Sequence, residues 1–258
     1  MTNDVNTCVI IAGATGLVGS KVVENLIAQS GISHLYSLSR RPLKDIYDPT
    51  NKIIPIIDAE LTIHQWNENQ TTPDIGFICL GTTLKQAGSK ENLRKVDVEL
   101  VTSVAQQMKM VGVKRLAVVS SLGANRSSPS HYLACKGQME QNIEKMGFDE
   151  VVFVRPGPLV GERDHPRSDE KLVQALFKVI RPLMIGKLSN FLPIKAEEVA
   201  KAMIYQVYSY QENSVVYLQR KEMLDLLHHY DRRKCLKITL NSKFTRFISH
   251  FYIHFRSI

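Results

Sequence analysis

The stretch TCVIIAGATGLVGSKVVENLIAQSG, residues 7–31, decides how the rest of the chain is read. It opens on an apolar, β-branched run, TCVIIAG (7–13), which reads as a strand buried on both faces. It closes on VGSKVVENLIAQSG (18–31), whose apolar residues recur at helical spacing and whose Gly31 ends the helix. Between the two, Gly13, Gly16 and Gly19 give G-x-x-G-x-x-G. Glycines at a strand-to-helix turn let backbone come close to a phosphate. The helix N-terminus then offers unpaired N–H groups and a partial positive charge. The stretch therefore predicts a phosphate cradle built from Gly13, Thr15, Gly16, Leu17, Val18 and Gly19.

The same alternation continues outward. Strand patterns at 34–40, 52–59, 74–81, 114–124, 149–161 and 214–220 alternate with helical ones at 90–112, 132–146, about 169–181 and 196–209. Continuous apolar strands separated by helices predict an α/β fold with a doubly wound parallel sheet of the Rossmann type. No linker divides the chain. One domain is expected over residues 1–227, with a small C-terminal substrate cap at about 160–195 above the carboxyl ends of the strands, followed by a tail at 228–258.

Composition narrows the class. The 258 residues are 44% hydrophobic and 22% charged, ordinary for a globular protein. No apolar run reaches the roughly 18–20 residues a membrane span needs. The N-terminus, MTNDVNTCVII, lacks the features of a secretory signal, which gives the expectation of a cytoplasmic protein. Cys8, Cys79, Cys135 and Cys235 form no CxxC pair and read as reduced thiols; the eight histidines are scattered, and no metal is expected. Of the net charge of +8, six units come from residues 228–258, where seven basic residues face one acid. The body is nearly balanced, so no nucleic acid partner is expected. The basic, aromatic tail suits peripheral contact with an anionic membrane or with a protein, and a homodimer is left open.

The second strand ends in Ser39-Arg40-Arg41, with no acid at the place where a carboxylate would bond a ribose 2′-hydroxyl. A hydroxyl and guanidinium groups suit a 2′-phosphate instead, so the expected cofactor is NADP(H), with Arg40 the preferred reader and Arg41 the alternative. By analogy with the fold, Asp58 at the end of the third strand would accept from the adenine amino group. Leu80-Gly81-Thr82-Thr83, after the fourth, would let backbone pass beside the adenosine.

YLACK (132–136) places Tyr132 and Lys136 at i and i+4, one turn apart on a helix face. An ammonium near a phenol stabilises the phenolate and equips it to exchange a proton with a substrate oxygen. VVSSLGA supplies Ser120 and Ser121 at the end of the preceding strand, facing the same crevice. With GATGLVG, SRR, VVSSLGA, YLACKGQME and VRPGPLVGER together, the chain resembles the atypical short-chain dehydrogenase/reductases, in the branch of Tat-interacting-protein-like and NmrA-like proteins, over residues 5–227. The resemblance implies Tyr132 as acid/base and Lys136 as its partner and ribose ligand. It implies Ser121, with Ser120 as the alternative, as the group that orients substrate, and a segment beginning Arg155-Pro156 beside the nicotinamide. It further implies an NADP(H)-dependent oxidoreductase acting on a small carbonyl or alcohol. Two other readings stay open: a non-catalytic NADPH-binding sensor and an NAD(P)-dependent epimerase or dehydratase. Ten residues separate Ser121 from Tyr132, fewer than in typical extended dehydrogenases.

Overall fold

The architecture was read from a computed structural model, which describes residues 7–43, 48–67, 69–161, 186–209 and 214–231. The tail beyond 231, the helix expected at 169–181 and most of the expected cap lie outside the described residues. In chain order the elements begin β1 (Thr7–Ala12), α1 (Leu17–Ile27), β2 (Ile32–Ser39), β3 (Ile53–Ile57), β4 (Ile75–Ile78), α2 (Leu84–Ala87) and α3 (Lys90–Arg94). A π-helical stretch (Lys95–Leu100) leads into α4 (Val101–Val111), followed by β5 (Arg115–Val119), α5 (His131–Glu144), β6 (Glu150–Val154), β7 (Leu159–Val160), β8 (Ile194–Lys195), α6 (Ala196–Tyr208) and β9 (Ser214–Leu218). A last helix, α7, spans 220–231.

Seven strands form one parallel sheet in the order β3-β2-β1-β4-β5-β6-β9, and β7 pairs with β8 separately. The chain reverses its direction of travel across the sheet beside β1, so β1 lies between β2 and β4. In such sheets the carboxyl ends at this point open into a ligand crevice. The apolar run of β1 follows from burial on both sides. Val9 and Ile11 pack into the core beneath α1 and α6, while Cys8, Ile10 and Ala12 pack into the core beneath α4 and α5. Each face of the sheet thus has its own core, and alternate residues of one strand feed both.

The long helix expected at 90–112 is interrupted. Ser89 caps α3, its side chain accepting from the Asn92 amide, and the helix then widens over Lys95–Leu100 before tightening at Val101. The strand pattern at 149–161 likewise splits into β6 and the two-residue β7, because Pro156 and Pro158 cannot donate to a ladder.

Candidate active site

The carboxyl ends of β1, β4, β5 and β6 open into a cleft that continues along α1 past Glu24, Ile27 and Lys52, about 1340 Å3 in all. Ala14, Thr15, Gly16, Leu17 and Val18 line one end; Val119, Ser120, Ser121, Tyr132 and Lys136 line the other, with Leu80–Thr83 and Pro156–Leu159 between and above.

At the first end the three glycines do different work. Gly13 has φ +91°, and a Cβ there would sit 2.7 Å from the Cys79 carbonyl group. At Gly19 a Cβ would fall 2.0 Å from the Gly13 oxygen, so this glycine lets α1 pack onto the turn that precedes it. Gly16 is another matter, since its Cβ would meet only ordinary contacts at 3.4 and 3.6 Å. The fold itself does not need glycine at 16, and its absence of a side chain leaves the turn open to a group entering the cleft. Gly16 caps α1 with no side-chain hydrogen bond, and no acid lies in the first turn. These residues fit a dinucleotide pyrophosphate held by backbone N–H groups.

Ser39 ends β2 and Arg40 and Arg41 follow it; the register with β1 (Leu38 against Ala12) brings them beside the glycine turn. The Ser39 hydroxyl donates to the Arg41 carbonyl at 2.8 Å. Both arginines are exposed and stand outside the cleft lining. Asp58 does not reach the cleft, contrary to expectation. Its Oδ1 accepts from the amides of Thr62 (2.7 Å) and Glu60 (3.0 Å), and its Oδ2 lies 3.0 Å from His64 Nε2. The Thr62 amide, then His64, hold this carboxyl below its usual range, and the group closes its own loop.

At the other end, α5 carries Tyr132 and Lys136 on one face. Ser130 caps it, accepting from the Leu133 amide at 3.5 Å. The short connection from Ser121 is accommodated by Gly137. A Cβ at that position would lie 2.3 Å from the Arg126 nitrogen and the Asn125 carbonyl carbon, so the connecting loop lies directly across the helix. The Asn125 amide donates to the Leu133 carbonyl at 3.1 Å and fixes the crossing. The Tyr132 ring packs on a small apolar cluster of Leu93, Val98 and Cys135. Ser120 is 4% exposed and its hydroxyl has no hydrogen-bond partner among the described residues. Ser121 is half-buried beside it.

Lys136 is buried, and its Nζ lies 2.7 Å from Asp97 Oδ1, with side-chain exposures of 3% and 0%. Asp97 Oδ2 accepts from the Thr82 amide at 2.9 Å. The sequence reading missed Asp97. In KVDVELV it lies four residues after Leu93 and four before Val101, so it falls on the buried face of the helical pattern, and the reading passed over an acid at that place. Arg155 also departs from expectation. Its guanidinium turns away from the cleft, binding Glu140 from Nε at 2.9 Å and from Nη2 at 2.5 Å, and lies 4.1 Å from the centre of the Tyr217 ring. Pro156 does line the cleft. No grouping of His, Cys, Asp and Glu suited to a metal occurs among the described residues.

Comparison with known proteins agrees with this geometry. Residues 13–207 match the model of the NAD(P)H-binding family. "Protein FMP52, mitochondrial" of Candida albicans is 38% identical over 199 residues, covering 75% of this chain and 85% of that protein. "Protein HTATIP2" of Rattus norvegicus is 29% identical over 224 residues, covering 86% and 89%. Among solved structures, the Bordetella bronchiseptica enzyme WbmF in complex with NAD+ has a TM-score of 0.60 at 14% identity, covering 84% of this chain and 74% of that one. The PhqB reductase domain from Penicillium fellutanum has a TM-score of 0.58 at 17% identity, covering 84% and 68%. The FMP52 relatives of Candida albicans, Aspergillus niger and Saccharomyces cerevisiae are all named mitochondrial, which overturns the cytoplasmic expectation. That expectation rested on the lack of a secretory signal, and this rules out one address only. The chain belongs to the NAD(P)H-binding family and is similar to FMP52 and HTATIP2.

Proposed function

We propose that this protein is a mitochondrial NADP(H)-dependent oxidoreductase acting on a small carbonyl or alcohol. One observation carries the reading: Tyr132, Lys136, Ser120 and Ser121 line the same cleft as the glycine turn. Gly13–Gly19 would hold the pyrophosphate, Arg40 or Arg41 the 2′-phosphate, and Lys136 the nicotinamide ribose. When bound, the reduced nicotinamide supplies hydride to a carbonyl carbon. Tyr132 supplies the proton to the substrate oxygen and takes it back in the reverse direction. Ser120 carries an unsatisfied buried hydroxyl, which favours binding a polar atom delivered into the cleft; it orients the substrate oxygen together with Ser121. The FMP52 names support the location.

The test has two halves. Fluorescence titration should show NADPH binding at least about tenfold more tightly than NADH, with Arg40→Ala or Arg41→Ala shrinking the gap. Equal affinities would remove the argument for NADP(H). A panel of aldehydes and ketones should then reveal turnover that falls roughly 100-fold or more in Tyr132→Phe with NADPH binding intact. Tight NADPH binding without turnover across the panel would establish the sensor reading in its place.

A further inference from the structure

Asp97 is fully buried, and its carboxylate has two partners from different parts of the chain: Lys136 Nζ at 2.7 Å and the Thr82 amide at 2.9 Å. Thr82 belongs to the segment after β4 that lines the cleft, and Lys136 to α5, so one carboxylate ties together the two walls between which a nucleotide would lie. The lysine is steered further by the Val119 carbonyl, 3.4 Å from Nζ. Gly81 completes the fit. A Cβ there would stand 3.2 Å from both Asp97 Oδ1 and Lys136 Nζ, closer than such atoms normally approach.

The backbone is adapted to this contact. Asp97 and Val98 are the buried residues of the π-helical stretch Lys95–Leu100. A π turn carries more residues per turn than the α-helix on either side and so re-aims the side chains within it; such turns are frequent at functional sites. Within it Asp97, in line with the buried Leu93 and Val101, meets Lys136, while Val98 enters the cluster on which Tyr132 packs. Consecutive residues of the stretch thus support the two working residues of α5.

We propose that Asp97 is a positioning residue of this site, holding the Lys136 ammonium at a fixed point on the cleft wall so that it meets the cofactor ribose already oriented. This rests on the reading of Lys136 as a ribose ligand. A flexible four-carbon side chain loses considerable rotamer freedom on binding. Asp97 imposes that loss during folding, so cofactor binding does not have to. Burial of the pair makes the restraint persist in salt that would screen an exposed one.

The test is a mutant cycle read by NADPH affinity at about 0.5 M salt, where the screening length falls to roughly 4 Å and the general attraction of an uncompensated lysine for an anionic nucleotide is suppressed. Lys136→Met should weaken NADPH about tenfold, Asp97→Asn should weaken it comparably, and the double variant should be no worse than Lys136→Met alone. If the two single effects multiply in the double variant, or if Asp97→Asn binds like the parent, Asp97 does not act through Lys136 and the proposal is overturned. If Lys136→Met itself binds like the parent, it is the ribose-ligand reading that has failed. Should Asp97→Asn not fold, Gly81→Ala takes its place, because its Cβ crowds the same two atoms. Its effect should vanish in the Lys136→Met background; an effect that persists there is a direct clash with the nucleotide and also overturns the proposal. A merely structural Asp97 would weaken NADPH by the same factor with or without Lys136.

Discussion

Helix α5 contributes a buried member to each of two ion pairs one turn apart, and they differ in what lies on the far side. Lys136 meets Asp97 at the cleft wall; Glu140, four residues on, meets Arg155, away from the cleft. The first pair joins α5 to a π-helical stretch and to the segment after β4, which carry the site. The second joins α5 to the strand-end segment after β6, and the guanidinium then lies over Tyr217 of the edge strand β9. The Tyr217 hydroxyl donates to Glu144, so this cluster closes on itself through protein groups alone. Desolvation would lower the Arg155 pKa, but the Glu140 contact outweighs it and raises the value above the usual guanidinium range. Distance and charge are much alike in the two pairs, although Arg155 is more exposed than Lys136. What separates them is that one member of the first reaches the cleft, so a buried ion pair is informative about function through what it touches beyond itself.

The largest effect that tests this contrast is on stability. Glu140→Ala removes the carboxylate and leaves Arg155 mostly buried without its main partner. It should cost about 3–5 kcal/mol, read as a lowered midpoint in chemical denaturation. NADPH affinity at a temperature where the variant is folded should stay within about twofold of the parent. A large loss of affinity in this variant would break the comparison, since the Arg155 pair would then belong to the cofactor site.

A smaller effect is expected when both members of the other pair are replaced together. Either single change at Asp97 or Lys136 leaves one buried charged group facing an apolar or neutral neighbour. Asp97→Asn with Lys136→Met removes both charges and should recover most of the stability lost in the singles, ending within about 1–2 kcal/mol of the parent. NADPH affinity should not recover. Stability restored without affinity would sharpen the difference between holding the fold and holding the lysine; affinity restored alongside stability would erase it.

How far the sequence carried the reading follows from the same distinction. The glycine turn, the parallel strands and the Tyr132–Lys136 face were legible because each depends on neighbours close in the chain. A turn that needs φ +91° at Gly13 selects glycine wherever it occurs, and a spacing of four marks a helix face in any fold. Asp97 was legible only in part. Four residues from both Leu93 and Val101, it falls on the buried face of the helical pattern, but its partner Lys136 comes from another helix, and the π-helical widening leaves no mark in KVDVELV. Gly137 was invisible for a related reason: it reads as a weak point inside a helix until the loop at Asn125–Arg126 is seen to lie across it. Asp58 was placed at the cofactor by analogy with the fold, and Arg155 by the resemblance of its segment. Position fixes where a backbone ends but not where a long side chain turns, and each found partners in the protein itself.

Cys79 extends the comparison to an ionisable group at the cleft that burial alone perturbs. It lines the cleft, its carbonyl abuts Gly13, and burial pushes its thiol up to about 12 from an ordinary value of 9.0. Because the folded value lies above the unfolded one, the thiol's contribution to stability is fully present below about pH 9. It is lost as pH rises through the window up to about 12. The parent should therefore lose stability with rising pH across that window faster than Cys79→Ala, by at most about 1.4 kcal/mol per pH unit. Alkaline denaturation curves of the two proteins measure the difference directly. Parallel curves would mean that the cleft is wet enough at Cys79 for the thiolate to form at little cost. The Lys136–Asp97 contact on the neighbouring wall would then sit closer to water than its burial implies, and its hold on the lysine would weaken with added salt.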